Sequence, residues 1–185
     1  MSERKQQILQ AAIDIIIDEG YGSLSMRGLA RASGIKLGAL QYHFPTREAM
    51  LRAVVAYISA EYQKIFESMQ SYDNSFGIKQ IIDVALAEPA GGTLQVDRLW
   101  PQLWAMGKVE PLVADLVDDV YAVYIEILEA RLKEAGSEAP RAEALCLLSF
   151  TEGSGIFLGE GKRWESDAGA VKAVLYGFIE AKYGL

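Results

Sequence analysis

The chain has 185 residues, 51% of them hydrophobic and 23% charged, which supplies a sizeable core and excludes a disordered or collagen-like polymer. Eighteen Lys+Arg against 25 Asp+Glu leave a net charge of −7, which argues against indiscriminate coating of nucleic acid. The one cysteine, Cys146, excludes an internal disulfide framework, and no uncharged run approaches the roughly 18 residues of a membrane span. A soluble, cytoplasmic protein is expected.

Helical periodicity runs through nearly the whole length. From Arg4 to Glu19, Ile8, Ala12, Ile15 and Ile16 share a face that Leu9, Ile13 and Ile17 widen. Gly20 and Gly22 end that helix. Ser25 is placed to cap a short helix over 26–32 with Leu29 and Ala30 inward. Ser33-Gly34 turns the chain, Ile35 is expected to be a buried hinge, and another short helix covers 37–43. Phe44-Pro45-Thr46 breaks it, and Thr46 caps a long helix from 47 to about 69.

Polar residues 71–75 interrupt the pattern before a helix that reaches about 88. The Pro89–Gly92 segment reads as a loop, followed by helices over roughly 93–107 and 111–135. Gly136 and Pro140 separate the latter from a helix ending near Leu158. A last helix follows a Ser166-Asp167 cap and ends near Tyr183. No stretch alternates with period two, so the fold class is all-α, with about nine helices.

Charge is unevenly placed on this scaffold. Residues 1–52 carry +2 and the remainder −9, and within 25–52 five basic residues face one acid, Glu48. The same stretch reads Ser25-Met-Arg-Gly-Leu-Ala-Arg-Ala-Ser-Gly-Ile-Lys-Leu-Gly-Ala-Leu-Gln-Tyr-His-Phe-Pro-Thr-Arg47, two short helices about a glycine-containing turn. That is the shape of a helix-turn-helix, whose second helix enters the major groove of DNA. Leu29, Ala30, Ile35, Leu40 and Phe44 point inward, leaving Arg27, Arg31, Lys36, Ala39, Gln41, Tyr42 and His43 outward. Gly38 and Ala39 permit close approach to base edges, and the Ala39 methyl suits a thymine methyl. Arg47, opening a helix, suits a phosphate. Each of these charges alone reads better as solvated surface; it is their joint placement that points to DNA.

The residues from Arg4 through Leu51 resemble the tetracycline-repressor (TetR) family of transcriptional regulators. The resemblance rests on the Ala-Ala pair 11–12, Gly20, Ser25-x-Arg27-x-Leu29-Ala30, Gly34-Ile35, Gly38-x-Leu40 and Tyr42-His43-Phe44-x-x-Arg47-Glu48-x-x-Leu51. It implies a DNA-binding domain over 1–46 and a ligand-binding and dimerisation domain over 47–185. Carried over position by position, Arg27 reaches bases or phosphate, and Lys36, Leu37, Gly38, Ala39 and Gln41 occupy the recognition positions. Tyr42, His43 and Arg47 match the usual phosphate contacts. Leu37 and Gln41 depart from the family's commoner residues, so base readout is expected to differ there.

The 47–185 region concentrates aromatic residues. Tyr57, Tyr62, Phe66, Met69, Trp100, Trp104, Met106, Tyr121 and Tyr124 fall on its helices, and Trp100, Leu103, Trp104 and Gly107 share one face. Plain core accounts for most of them. The resemblance implies an effector pocket here, for which Tyr62, Phe66, Trp100, Trp104, Tyr121, Tyr124, Phe150 and Glu152 are the candidate residues. Asp97, Glu110 and Glu152 lie near the aromatics in sequence, which raises a cationic ligand as one option.

Small residues (Ala142, Ala144, Ser149, Gly153, Ser154, Gly155) alternate with Leu145, Leu148 and Ile156 on the eighth helix. Val171, Val174, Leu175, Phe178 and Ile179 form an apolar stripe on the ninth. An exposed stripe of that size needs a partner. The resemblance implies a homodimer through these two helices, with Leu145, Leu148, Ile156, Val171, Val174, Leu175 and Phe178 in the interface. Packing within one subunit is the alternative.

One His and one Cys leave no ligand set for zinc or di-iron, so no metal, cofactor or enzymatic chemistry is expected. An interaction-only helical protein would leave the basic segment unexplained. The reading that accounts for it is a ligand-responsive repressor on a palindromic DNA operator.

Overall fold

The computed structural model describes residues 2–71, 77–86, 96–159 and 161–184, without side-chain detail at 68–71, 84–86 and 96–97. Among these are nine α-helices and no strand: α1 (Glu3–Glu19), α2 (Met26–Ala32), α3 (Leu37–His43), α4 (Arg47–Ser71), α5 (Ile78–Leu86), α6 (Val96–Gly107), α7 (Pro111–Glu134), α8 (Pro140–Leu158) and α9 (Ala168–Tyr183). Single 3-10 turns at Tyr21–Ser23 and Glu165–Asp167 complete the order. The segments expected to be loops at 72–75 and 89–92, and the ends expected near 88 and 93, lie outside the described residues.

Local chemistry explains the helix boundaries. Ser25 Oγ accepts from the Gly28 amide at 3.1 Å, and Thr46 Oγ1 accepts from the Ala49 amide at 3.0 Å, each satisfying an otherwise orphaned donor. Gly20 ends α1 at φ +80 with its amide on Ile16 O, a conformation that favours glycine. The Ser166-Asp167 cap does not form. Both residues belong to the preceding 3-10 turn, and Asp167 makes no side-chain cap bond because its backbone is already helical. Ile35 is only half-buried.

Two compact units divide the chain: Met1–Ile65 with Gly91–Val120, and Phe66–Ala90 with Tyr121–Leu185. The divisions fall within α4 and α7, whereas the sequence places the functional boundary at 46/47. The physical reason is that α1 packs on α6 as well as on α2, and Asp18 pairs with Arg98 at 2.7 Å.

In the first unit Ile8, Leu9, Ile13 and Ile16 of α1, Leu29 of α2, Leu40 of α3 and Phe44 just after it are all close to fully buried. Each such side chain contributes about 1.5–3 kcal/mol by leaving water. In the second unit one cluster joins Ile78, Ile81 and Ile82 of α5, Ile125, Leu128 and Leu132 of α7, Ala144 and Leu148 of α8, and Leu175 and Ile179 of α9. Polar contacts seal its edge. Lys79 pairs with Glu180 at 2.6 Å, and Asp83 accepts from Lys172 and Tyr176. Burial alone raises the Asp83 pKa, but those two hydrogen bonds outweigh it and hold the carboxyl below its usual range.

Leu148 and Leu175 therefore require correction. Both are expected at a dimer interface, yet both are buried in this subunit's own core. Helical phase decides it: Leu175 and Ile179 are one turn apart and face inward, while Val174 and Phe178 lie on the adjoining outward face.

Candidate nucleic-acid interface and effector site

The helix-turn-helix is built around Gly34. Its φ of +64 lets the Ile35 amide reach Ala30 O at 2.9 Å and the Gly34 amide reach Arg31 O at 3.1 Å. These paired bonds are a Schellman motif, which reverses the chain without leaving the last carbonyls of α2 bare. Arg4 adds a clamp the sequence pattern did not signal, donating to Ser33 O at 3.0 Å from 29 residues away.

On α3 the two faces separate sharply. Leu40 and, just beyond the helix, Phe44 are anchored in the core, while Tyr42 is 87% exposed. Gly38, Ala39 and Gln41 are exposed beside it, with Lys36 at the helix cap and Arg27 and Arg31 on α2. Leu37 and His43 are half-buried, and the His43 ring meets Tyr42 edge-on at 5.6 Å. Among the described residues no ion pair engages Arg27, Arg31 or Lys36, so these cations face solvent uncommitted. Arg52, by contrast, is paired with Glu48 at 2.9 Å.

Arg47 sits differently. Its guanidinium contacts Glu110 at 3.1 Å, bonds the Tyr21 hydroxyl, and lies 5.0 Å from the Tyr21 ring centre. The Tyr21 hydroxyl also donates to Glu110, closing a triangle. The hydrogen bond from Tyr21 and then the one from Arg47 hold the Glu110 carboxyl below its usual range. Tyr21 and Glu110 are neighbours of Arg47 that sequence spacing does not reveal, since Glu110 is expected among the aromatics and instead meets the 3-10 turn that follows α1. A phosphate reaching Arg47 competes with Glu110 for it.

The candidate effector residues fall into two groups. In the first unit Tyr62 and Trp100 are buried with ring centres 5.4 Å apart, and Trp104 is half-buried. In the second unit Phe66 meets Tyr124 edge-on at 4.9 Å, and Tyr121 hydrogen-bonds Glu152. Burial raises Glu152 to about 7, partly offset by the Tyr121 bond, and burial with the nearby Glu152 charge raises Tyr124 to about 12. Phe150, two residues before Glu152 on α8, packs with Tyr121 and Tyr124 against the cluster of α5, α7, α8 and α9. Met69 and Asp97 have side chains outside the described residues.

Of the candidate interface residues, Leu145, Ile156, Val174 and Phe178 are exposed, Phe178 to 70%. Val171 is half-buried and lines, with Phe157, Leu158, Trp164 and Val174, an open apolar groove of about 620 Å³.

An all-helical protein presenting this basic, glycine-turned helix pair is a helix-turn-helix DNA-binding protein. Residues 8–54 match the family model of bacterial regulatory proteins, tetR family. The nucleoid occlusion factor SlmA of Haemophilus ducreyi is 25% identical over 160 residues, 83% of this chain and 79% of its own length. The HTH-type transcriptional regulator UidR of Escherichia coli is 25% identical over 135 residues, 71% of this chain and 65% of its own. In three dimensions a regulator from Saccharomonospora viridis, solved in complex with choline, aligns over 97% of both chains with TM-score 0.76 and 22% identity. The helix-turn-helix part of the chain, residues 8–54, is thus similar to the DNA-binding part of tetR-family regulators, and the solved structures share the all-helical fold of the whole. Among the described residues no helix is long and apolar enough to cross a membrane.

Proposed function

We propose that this chain is a cytoplasmic, homodimeric repressor that occupies a palindromic operator and leaves it when a small effector binds. The observation that carries this reading is the division of α3, with Leu40 anchored at 0% exposure and Tyr42 two residues on at 87%. Residues 1–46 form the DNA-binding part. Arg27, Lys36, Leu37, Gly38, Ala39 and Gln41 read bases; Tyr42, His43 and Arg47 hold phosphates, Arg47 after exchanging Glu110 for the backbone. The cations that make no ion pair supply the affinity, because each phosphate neutralised releases counterions.

The rest of the chain, 47–185, binds the effector and the second subunit. The outward Leu145, Ile156, Val174 and Phe178 support pairing through α8 and α9, since side chains of this size are unfavourable in water. Pairing sets two α3 helices one or more DNA turns of ~34–36 Å apart, so the operator is a palindrome. The aromatic groups around Tyr62 and Tyr124, and the choline complex of the Saccharomonospora relative, support a small-molecule effector. For release, that effector must bind one dimer geometry more tightly than the other.

Selection of bound sequences from a random duplex pool tests the reading. A recovered palindrome whose binding weakens steeply with salt is expected; recovery of no preferred sequence overturns it.

A further inference from the structure

Cationic side chains of this chain lie over aromatic rings in several places. Lys79 and Lys172 over Tyr176, Lys182 over Tyr183 and Arg47 over Tyr21 also pair with carboxylates, those of Glu180, Asp83, Glu143 and Glu110. Lys5 on α1 differs. Its Nζ lies 5.2 Å from the centre of the Phe44 ring, and among the described residues no ion pair engages it. Arg163 over Trp164 also makes no ion pair, but it belongs to the second unit. Arg4, the residue before Lys5, is committed to Ser33 O and to Gln7.

What distinguishes Lys5 is the place of Phe44. Phe44 is 2% exposed and directly follows the last residue of α3, so its ring is fixed relative to that helix. The His43 ring lies 6.4 Å from it, and the Tyr42 ring meets His43 edge-on at 5.6 Å. Three consecutive rings thus lead from the Lys5 ammonium to the two residues proposed above to hold phosphates. A phenyl ring attracts a cation but offers no oxygen or nitrogen acceptor, so the three N–H donors of the ammonium remain available to an anion. Lys5 is half-buried, and it gives up less rotamer freedom on meeting that anion than a fully exposed lysine does.

We propose that Lys5 is a further phosphate-holding residue, the contribution of α1 to a DNA interface otherwise drawn from α2, α3 and the start of α4. This rests on the DNA-binding reading above. Each strand of a duplex carries a charge about every 3.4 Å of helix axis, so an ammonium beside Phe44 meets the same run of phosphates as Tyr42 and His43. Phosphate contacts position a protein without reading its sequence, and one from α1 steadies the motif from a helix outside it.

Anisotropy titrations across about 50–200 mM salt test the contact, on a duplex selected by wild-type protein and on an arbitrary duplex of the same length. Lys5→Met keeps an unbranched stem and loses the charge. It is expected to lower the salt slope by about 1 on both duplexes and to weaken both by the same factor, with Lys5→Arg restoring both quantities. A wild-type slope in folded Lys5→Met overturns the proposal, as does a loss confined to the selected duplex. A role in packing alone would lower the melting temperature and leave the slope unchanged. Acetylation of wild-type lysines, read by mass spectrometry, decides without any variant: duplex is expected to protect Lys5 and leave Lys133 of α7 unaffected. Equal labelling of Lys5 with and without duplex overturns the proposal. Wild-type selection of a preferred sequence with an unchanged Lys5→Met slope overturns the Lys5 contact alone. If selection recovers no preferred sequence while the slope change persists on the arbitrary duplex, the repressor reading falls and the phosphate contact stands.

Discussion

Arg47 and Glu110 stand 63 residues apart in sequence and 3.1 Å apart in space, with the Tyr21 hydroxyl bonded to both. The contact joins the first residue of α4 to the residue just before α7 and to the turn that follows α1. Both charged side chains remain partly exposed, so the pair itself adds little stability, of order 0–1 kcal/mol. On the proposed reading, it governs how available the Arg47 cation is to a phosphate.

Removing the competitor is therefore expected to strengthen DNA binding. Glu110→Gln leaves Arg47 free for phosphate, and a several-fold gain in operator affinity with a steeper salt dependence is expected. Arg47→Ala is expected to weaken binding on all sequences and to lower the salt slope by about 1. Fluorescence anisotropy titrations across a salt series measure both. An unchanged slope in Arg47→Ala excludes Arg47 from the phosphate contacts.

Two positions of one short helix, two residues apart, are expected to fail in opposite ways. Leu40→Ala opens a cavity at a fully buried site and is expected to cost about 2–5 kcal/mol of folding stability. Tyr42→Ala, at an exposed site, is expected to change stability by no more than about 0.5 kcal/mol while impairing operator binding. Chemical denaturation beside DNA titration separates the two losses. A stability loss in Tyr42→Ala matching that of Leu40→Ala would contradict the assigned faces.

The outer face of α9 offers a similar contrast. Phe178→Glu is expected to convert a dimer to monomer with the helical content retained, because Phe178 faces outward. Leu175→Ala is expected to lower the melting temperature of the subunit first, because its side chain is in the core. Analytical ultracentrifugation and thermal melts distinguish these outcomes. A monomeric wild-type protein at micromolar concentration would count against pairing through this face.

Glu152 gives stability a pH dependence with a definite sign. Its folded pKa of about 7 lies above the ordinary 4.5, so the folded state holds the proton more tightly than the unfolded chain. This contribution is greatest below about 4.5 and is lost as pH rises through about 7. Glu152→Gln should thus match the wild type near pH 4.5 and exceed it at pH 8 by about 1–2 kcal/mol, after allowance for solvent screening. Denaturant melts at the two pH values measure the difference. A difference that does not vary with pH removes Glu152 as its source.

Gly34 is a test of backbone alone. With φ at +64 and open space around it, an added methyl group meets no clash, yet Gly34→Ala is expected to cost about 1 kcal/mol because an L side chain disfavours that conformation. Equal melting temperatures would show that the turn relaxes.

Much of the fold was legible from residue order. The bounds of α2 and α3 follow from the Ser25 cap, the Gly34 turn and the Phe44-Pro45 break, each a signal spanning a few residues. The outward position of Tyr42 follows equally locally, since Leu40 and Phe44 claim the inward face four residues apart. The match to the tetR-family model, residues 8–54, takes in this stretch together with α1 and the start of α4.

Partnerships across the chain were decided elsewhere. Whether Leu175 meets its own subunit or another depends on the phase of α9 against α5, α7 and α8, which an apolar stripe does not encode. That Glu110 turns toward Arg47, or that Asp83 meets Lys172, depends on which helices come to lie side by side. Helix periodicity and caps are short-range consequences of backbone geometry, so they can be read along the chain. Ion pairs and buried charges arise from packing between distant segments, and only the assembled tertiary structure determines them.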